Sequence, residues 1–79
     1  MNGRKQQAAY AARTIRAFLD GSCGDHDWDD FTSCSLRDSE VDRIRRHARD
    51  VDLPVDHEGT AILLSLADKA DRIAAPDGS

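Results

Sequence analysis

Residues 56–74 read DHEGTAILLSLADKADRIA, and this stretch decides the fold class. Its apolar side chains recur at the three- and four-residue spacing of an α-helix. Asp56 is placed to cap the helix, and Val55 to pack onto its first turn. We therefore predict a helix over about 57–74, in which Leu64 lies off the apolar stripe and faces either a second buried side or a partner. The stripe comprises Ile62, Leu63, Leu66, Ala70, Ile73 and Ala74.

A first helix is predicted over about 4–20, where a second stripe has the same spacing. Gly21 follows the last apolar residue and can take the left-handed conformation that ends a helix. Tyr10 points away from this stripe, so it is either exposed or in contact with another element. The stripe comprises Ala8, Ala11, Ala12, Ile15, Phe18 and Leu19.

A middle helix is predicted over about 39–51, with Asp38 or Ser39 as its N-cap. Glu40 and Asp42 in its first turn favour the helix dipole. The helix has to end before Pro54, because the residue that precedes a proline avoids the α conformation. Its narrow apolar face comprises Val41, Ile44, Ala48 and Val51.

The composition limits the chain to one small core. Of its 79 residues, 18 are Val, Ile, Leu, Met or aromatic, and no stretch alternates with the period of a strand. We predict an all-α fold, a small three-helix bundle in one domain spanning 1–79 with a frayed tail over 76–79. Such a core leaves no room for a large buried catalytic pocket, and we expect no enzyme.

The connection over 21–37 is long for a compact domain, where most connections have about 4–6 residues. Between Leu19 and Arg37 there are five Asp and no Lys or Arg. Trp28 and Phe31 are costly to expose and stand three residues apart, the spacing of one helical turn. We predict a long acidic loop with a helical turn near 27–33, whose Trp and Phe close the open side of the bundle.

A resemblance enters through the same residues. The run from Phe18 to Gly21, followed by the segment DWDDFTS at 27–33, is similar to short uncharacterised bacterial proteins that carry a Trp-Asp-Asp-Phe loop between helices. The resemblance covers about a quarter of the chain. It implies a small bacterial family and no activity, and it assigns no site residues.

Calcium binding is one alternative for the loop. Asp25, Asp27 and Asp29 match the first three ligand positions of an EF-hand loop, but Asp30 stands where that loop needs Gly. Leu36 stands at the position of the closing Glu, so the coordination shell is incomplete.

Zinc binding and thiol catalysis are two further alternatives. Cys23 and His26 have the spacing of half a zinc knuckle, and Cys34 with His47 or His57 completes four ligands, but no second close pair exists. The same thiols beside His26 resemble a catalytic set, yet surrounding carboxylates raise a thiol pKa and weaken the nucleophile. We predict no metal, no cofactor and two free thiols.

The middle helix carries a basic cluster. On a helical wheel we place its arginines opposite the apolar face, as a helix that lies along phosphates requires. Asp42 precedes two of them by three and four residues, the spacing of surface ion pairs, and the net charge of −4 argues against a nucleic-acid partner. The cluster comprises Arg43, Arg45, Arg46 and Arg49.

We expect a protein-interaction or regulatory module that acts through the acidic aromatic loop, with a nucleic-acid-binding regulator as the alternative. The acidic loop and the basic helix make the molecule electrically two-sided. That allows a homodimer or pairing within one chain. We also expect a cytoplasmic bacterial protein without a membrane segment, since Arg13 and Arg16 interrupt any signal-peptide core. The predicted interaction residues are Asp27, Trp28, Asp29, Asp30 and Phe31.

Overall fold

The computed structural model describes residues 3–51 and 55–75, which form four α-helices and no strand. The all-α prediction is confirmed. The count of three helices is wrong, because a fourth helix lies inside the predicted loop. The limit set by Pro54 and the tail over 76–79 lie outside the described residues. The helices are α1 (Gly3–Asp20), α2 (Asp25–Ser33), α3 (Ser39–Asp50) and α4 (His57–Ala74).

The long helices α1 and α4 share the largest interface of the fold, and α2 and α3 each pack beside α1. Both long helices present alanines to the core, and small side chains let helix axes approach closely. Ile15 from α1 and Leu63 from α4 are fully buried between them. The core also contains Ala8, Ala11, Ala12, Trp28, Phe31, Val41, Ile44, Ala48, Leu66, Ala67 and Ala70.

Carboxylate caps begin the two C-terminal helices. Asp38 accepts hydrogen bonds from the amides of Glu40 and Val41, which decides between the two predicted caps of α3. Asp56 accepts one from the amide of Gly59 and caps α4 as the sequence predicts. Each cap satisfies amides that have no partner within the helix.

The end of α1 depends on Gly21, whose φ is +85°. This left-handed turn brings the amides of Ser22 and Cys23 to the carbonyl of Ala17 at 2.9 and 3.0 Å. The reversal satisfies a terminal carbonyl of α1 and directs the chain into α2.

Replacing Gly21 with Ala is expected to lower the free energy of unfolding by about 1 kcal/mol, because a Cβ disfavours positive φ. No atom lies within 4 Å of the added Cβ, so the loss comes from the backbone alone. Gly24→Ala is the matched control. Its φ of −72° suits any residue, so the gain from a less flexible unfolded chain offsets the poorer N-cap preference of Ala, and we expect a smaller loss there. Urea unfolding of both variants measures the difference, and an equal effect at the two sites would contradict it.

The buried face of α4 is narrower than the predicted stripe. Ile62 was expected in the core but is 44% exposed, whereas Gly59 is buried beneath Val51 and Val55. Leu64 is 47% exposed, so it faces no second buried side within the described fold. The reason is the packing partner: α1 covers one side of α4, and α3 contacts only its flank.

Candidate functional site

Helix α2 is held against the bundle by its two aromatic residues. The Trp28 ring stacks on Phe18 of α1 with centroids 4.0 Å apart. Phe31 and Tyr10 form a T-shaped contact with ring centroids 5.7 Å apart, and the centroids of Phe31 and Trp28 are 5.5 Å apart. Both α2 aromatics are buried, as expected of side chains that close the bundle. The aromatic half of the predicted interaction site therefore belongs to the core and is not accessible to a partner.

The acidic half of the predicted site lies on the exposed surface of α2. Asp27, Asp29 and Asp30 are exposed, and within 3–51 and 55–75 none of them forms an ion pair. Because Trp28 and Phe31 fix the rotation of the helix, the three carboxylates have defined positions on the surface. The structure thus splits the predicted site into a buried anchor and an exposed acidic face.

A groove of about 270 Å³ separates α2 from α1. Asp27 and Asp30 line its α2 side, while Tyr10 and Arg13 line its α1 side. Partial burial raises the pKa of Tyr10, and the nearby Asp30 raises that pKa further, together with Cys34 and Asp27. The phenol therefore stays neutral beside the two carboxylates that line the groove.

Sequence reasoning placed neither Tyr10 nor Arg13 in a site. The sequence pattern shows only that both residues lie off the buried stripe of α1. It does not show that α2 packs beside them. The exposed side of Tyr10 consequently becomes one wall of the groove, while the same ring makes the T-shaped contact with Phe31.

Arg45 contradicts the predicted basic face. Its side chain is 4% exposed, and its Nε donates to Asp42 Oδ1 at 2.7 Å. Its Nη1 donates to the carbonyl of Thr32 at 2.6 Å, at the C-terminal end of α2. Arg45 follows Val41 by four residues, so the two side chains lie on the same side of α3. The prediction that Arg45 lies opposite the apolar face is therefore wrong.

Asp42 connects the same network to the segment before α3. Its carboxylate accepts the amide of Leu36 at 2.9 Å as well as the Arg45 guanidinium. The hydrogen bond from Arg45 lowers the pKa of Asp42, and the Leu36 amide lowers it further. This buried pair therefore fixes α3 to the last turn of α2 and to the segment that connects the two helices.

The other three arginines of the predicted cluster do not form one free cationic face. Arg46 pairs with Asp42 at 3.1 Å, and Arg49 pairs with Asp50 at 3.6 Å. Arg43 forms no ion pair with any described residue and lines a groove between α3 and α4.

The backbone around the candidate calcium and zinc ligands differs from the geometry that such metal sites require. The backbone is helical from Asp25 through Asp29, whereas an EF-hand wraps its ligands around the ion in a loop. Cys23 and Cys34, both thiols, lie at opposite ends of α2. In the described ranges no three His, Cys, Asp or Glu side chains form a group that could hold a metal ion.

No protein-family model, curated protein or solved structure matches this chain. The resemblance to short bacterial proteins therefore stays a prediction. Among the described helices, none combines the length and the apolar character needed to cross a membrane.

Proposed function

We propose that the protein is an interaction module that binds a basic segment of another protein in the groove between α1 and α2. One observation carries this proposal: Asp27 and Asp30, both without an ion pair in the described chain, line a groove beside the partly exposed ring of Tyr10. A guanidinium or ammonium group gains charge-assisted hydrogen bonds from carboxylates and an electrostatic attraction to an aromatic face.

Rigid placement of the carboxylates supports the proposal. The stacking of Trp28 on Phe18 and the burial of Phe31 fix α2 before any partner arrives. Binding to a site that is already ordered avoids the entropy cost of ordering it. The buried aromatics thus contribute to binding through position and not through contact.

Arg13 sets the selectivity of the groove. Its guanidinium lines the same groove and has no ion-pair partner within the described residues. The positive charge of Arg13 repels a single cation that enters the groove, and a segment with several Lys or Arg side chains can overcome this repulsion. We therefore propose that such a segment is the ligand. Removing this charge strengthens binding of such a segment.

The test measures the anisotropy of a fluorescein-labelled oligoarginine peptide at physiological salt. Asp30→Asn is expected to raise its Kd about tenfold, the loss of one charged hydrogen bond. Asp29→Asn is the matched control, since it removes the same charge one residue away but outside the groove lining. Its Kd is expected to change less than about twofold, and Arg13→Ala is expected to lower the Kd.

Equal losses in Asp29→Asn and Asp30→Asn would show diffuse charge attraction and refute the groove. Absence of peptide binding would refute the proposal as well. Binding of duplex DNA that weakens with Arg43→Ala would favour the nucleic-acid alternative instead.

A further inference from the structure

A second surface, between α3 and α4, carries positive charge that no ion pair among the described residues neutralises. Arg43, Lys69 and Arg72 surround a groove of about 390 Å³ between α3 and α4. Unlike the arginines paired elsewhere, these three side chains form no ion pair with a described residue. Glu40, the one acid in the lining, is already bound by Arg4 at 2.9 Å.

The same face becomes acidic at its other end. A second groove of about 420 Å³ adjoins the first through His47, which lines both. Its lining includes Asp50 and Glu58, and no basic residue other than His47. Glu58 and Arg72 lie fourteen positions apart on α4, which separates the two ends by about 21 Å.

Apolar side chains connect the charged ends. Ile44 and Leu66 form the floor of the basic groove, with Ile73 half-buried at its edge. Ile62 lies in the acidic groove and is the residue that the apolar periodicity placed in the core. A stripe of this kind, with charges at both ends, has the composition of a protein interface.

We infer that this face, which we call the α3–α4 face, binds a second copy of the chain about a two-fold axis near His47. A two-fold axis makes every contact reciprocal, so the basic end of each copy meets the acidic end of the other. Arg72 then pairs with Glu58 of the partner subunit, and the two Ile62 side chains are covered. An acidic peptide would satisfy only the basic end and would meet Glu58 and Asp50 with like charge.

The face is small, so the dimer is of the weak class that forms at high protein concentration. Sedimentation equilibrium of the full chain over a wide concentration range measures it. Ile62→Ser is expected to raise the dimer Kd at least about tenfold, through lost apolar burial at both halves of the interface. Leu64→Ser is the matched control, because Leu64 is as exposed on the same helix but lines neither groove. It is expected to leave the Kd unchanged.

Charge reversal tests the two-fold geometry. Arg72→Glu and Glu58→Arg, each alone, are expected to abolish the dimer, since each places like charges opposite one another twice. An equimolar mixture of the two variants is expected to restore it as a heterodimer, and so is the double variant. Circular dichroism of each variant confirms that the helices are intact.

A chain that remains monomeric at millimolar concentration would overturn the inference. Failure of the mixture to restore the dimer would overturn the two-fold arrangement. An oligoglutamate peptide bound by the monomer in an Arg72-dependent manner would assign the groove to an acidic partner instead. None of these outcomes bears on the oligoarginine experiment, which concerns the groove between α1 and α2, whose lining shares no residue with this face.

Discussion

The Phe31→Ala variant is expected to lose about 3–5 kcal/mol of unfolding free energy, a large share of the stability of the chain. Phe31 is 1% exposed and contacts both Tyr10 and Trp28. Its removal leaves a cavity between α1 and α2 that the remaining aromatics cannot fill without moving. A domain of 79 residues has a total unfolding free energy of about 4–12 kcal/mol. The expected loss is therefore comparable with the lower limit of that total.

Urea unfolding followed by helical circular dichroism measures the effect. Leu64→Ala is the control, because it truncates a large apolar side chain that is exposed, and we expect a change below about 0.5 kcal/mol. Phe31→Leu is expected to lie between the two, since it retains most of the buried volume. If Phe31→Ala unfolds within 1 kcal/mol of the parent chain, α2 is not part of the cooperative core.

The Arg45→Met variant is expected to lose about 3–5 kcal/mol, the cost of leaving one member of a buried ion pair alone. The substitution keeps the length of the side chain but removes both donors, so the Asp42 carboxylate and the Thr32 carbonyl each lose a hydrogen bond. Arg46→Ala is the matched control. It contacts the same carboxylate from an exposed position, where an ion pair contributes less than about 1 kcal/mol.

Acid unfolding gives an independent measure of the same pair. Arg45 holds the pKa of Asp42 below its ordinary value in the folded chain. A depressed folded pKa adds stability above the unfolded value of about 3.9, and that stability is lost as the pH falls through the folded pKa. The parent chain should therefore lose stability more steeply than Arg45→Met between about pH 5 and pH 2. Parallel curves would show that the pair does not set the pKa of Asp42.

Local signals predicted much of the fold. Asp56 and Asp38 cap α4 and α3, and Gly21 ends α1 with a positive φ. The long stripes placed Ile15 and Leu63 in the core. These predictions hold because a cap or a helical stripe depends on residues within three or four positions of one another, and the sequence displays those residues directly.

The extent of α2 is not a local property. Its sequence is rich in Asp, which is a poor helix former in a helix interior, and Gly24 provides no side-chain cap. The helix is stabilised by contacts from other elements: Phe18 beneath Trp28, and the Arg45 guanidinium at the carbonyl of Thr32. The spacing of Trp28 and Phe31 therefore predicted only a helical turn. Contacts with other elements stabilise a helix of nine residues at the same place.

The candidate site divides in the same way. The sequence by itself determined that Asp27, Asp29 and Asp30 are adjacent to two aromatics in one acidic segment, and that the chain is all-α. Only the tertiary structure decided that the aromatics are buried, that two of the carboxylates face Tyr10, and that Arg45 leaves the surface. The physical reason is that a cap or a stripe forms between neighbours in the chain, whereas the burial of a side chain depends on the element packed against it.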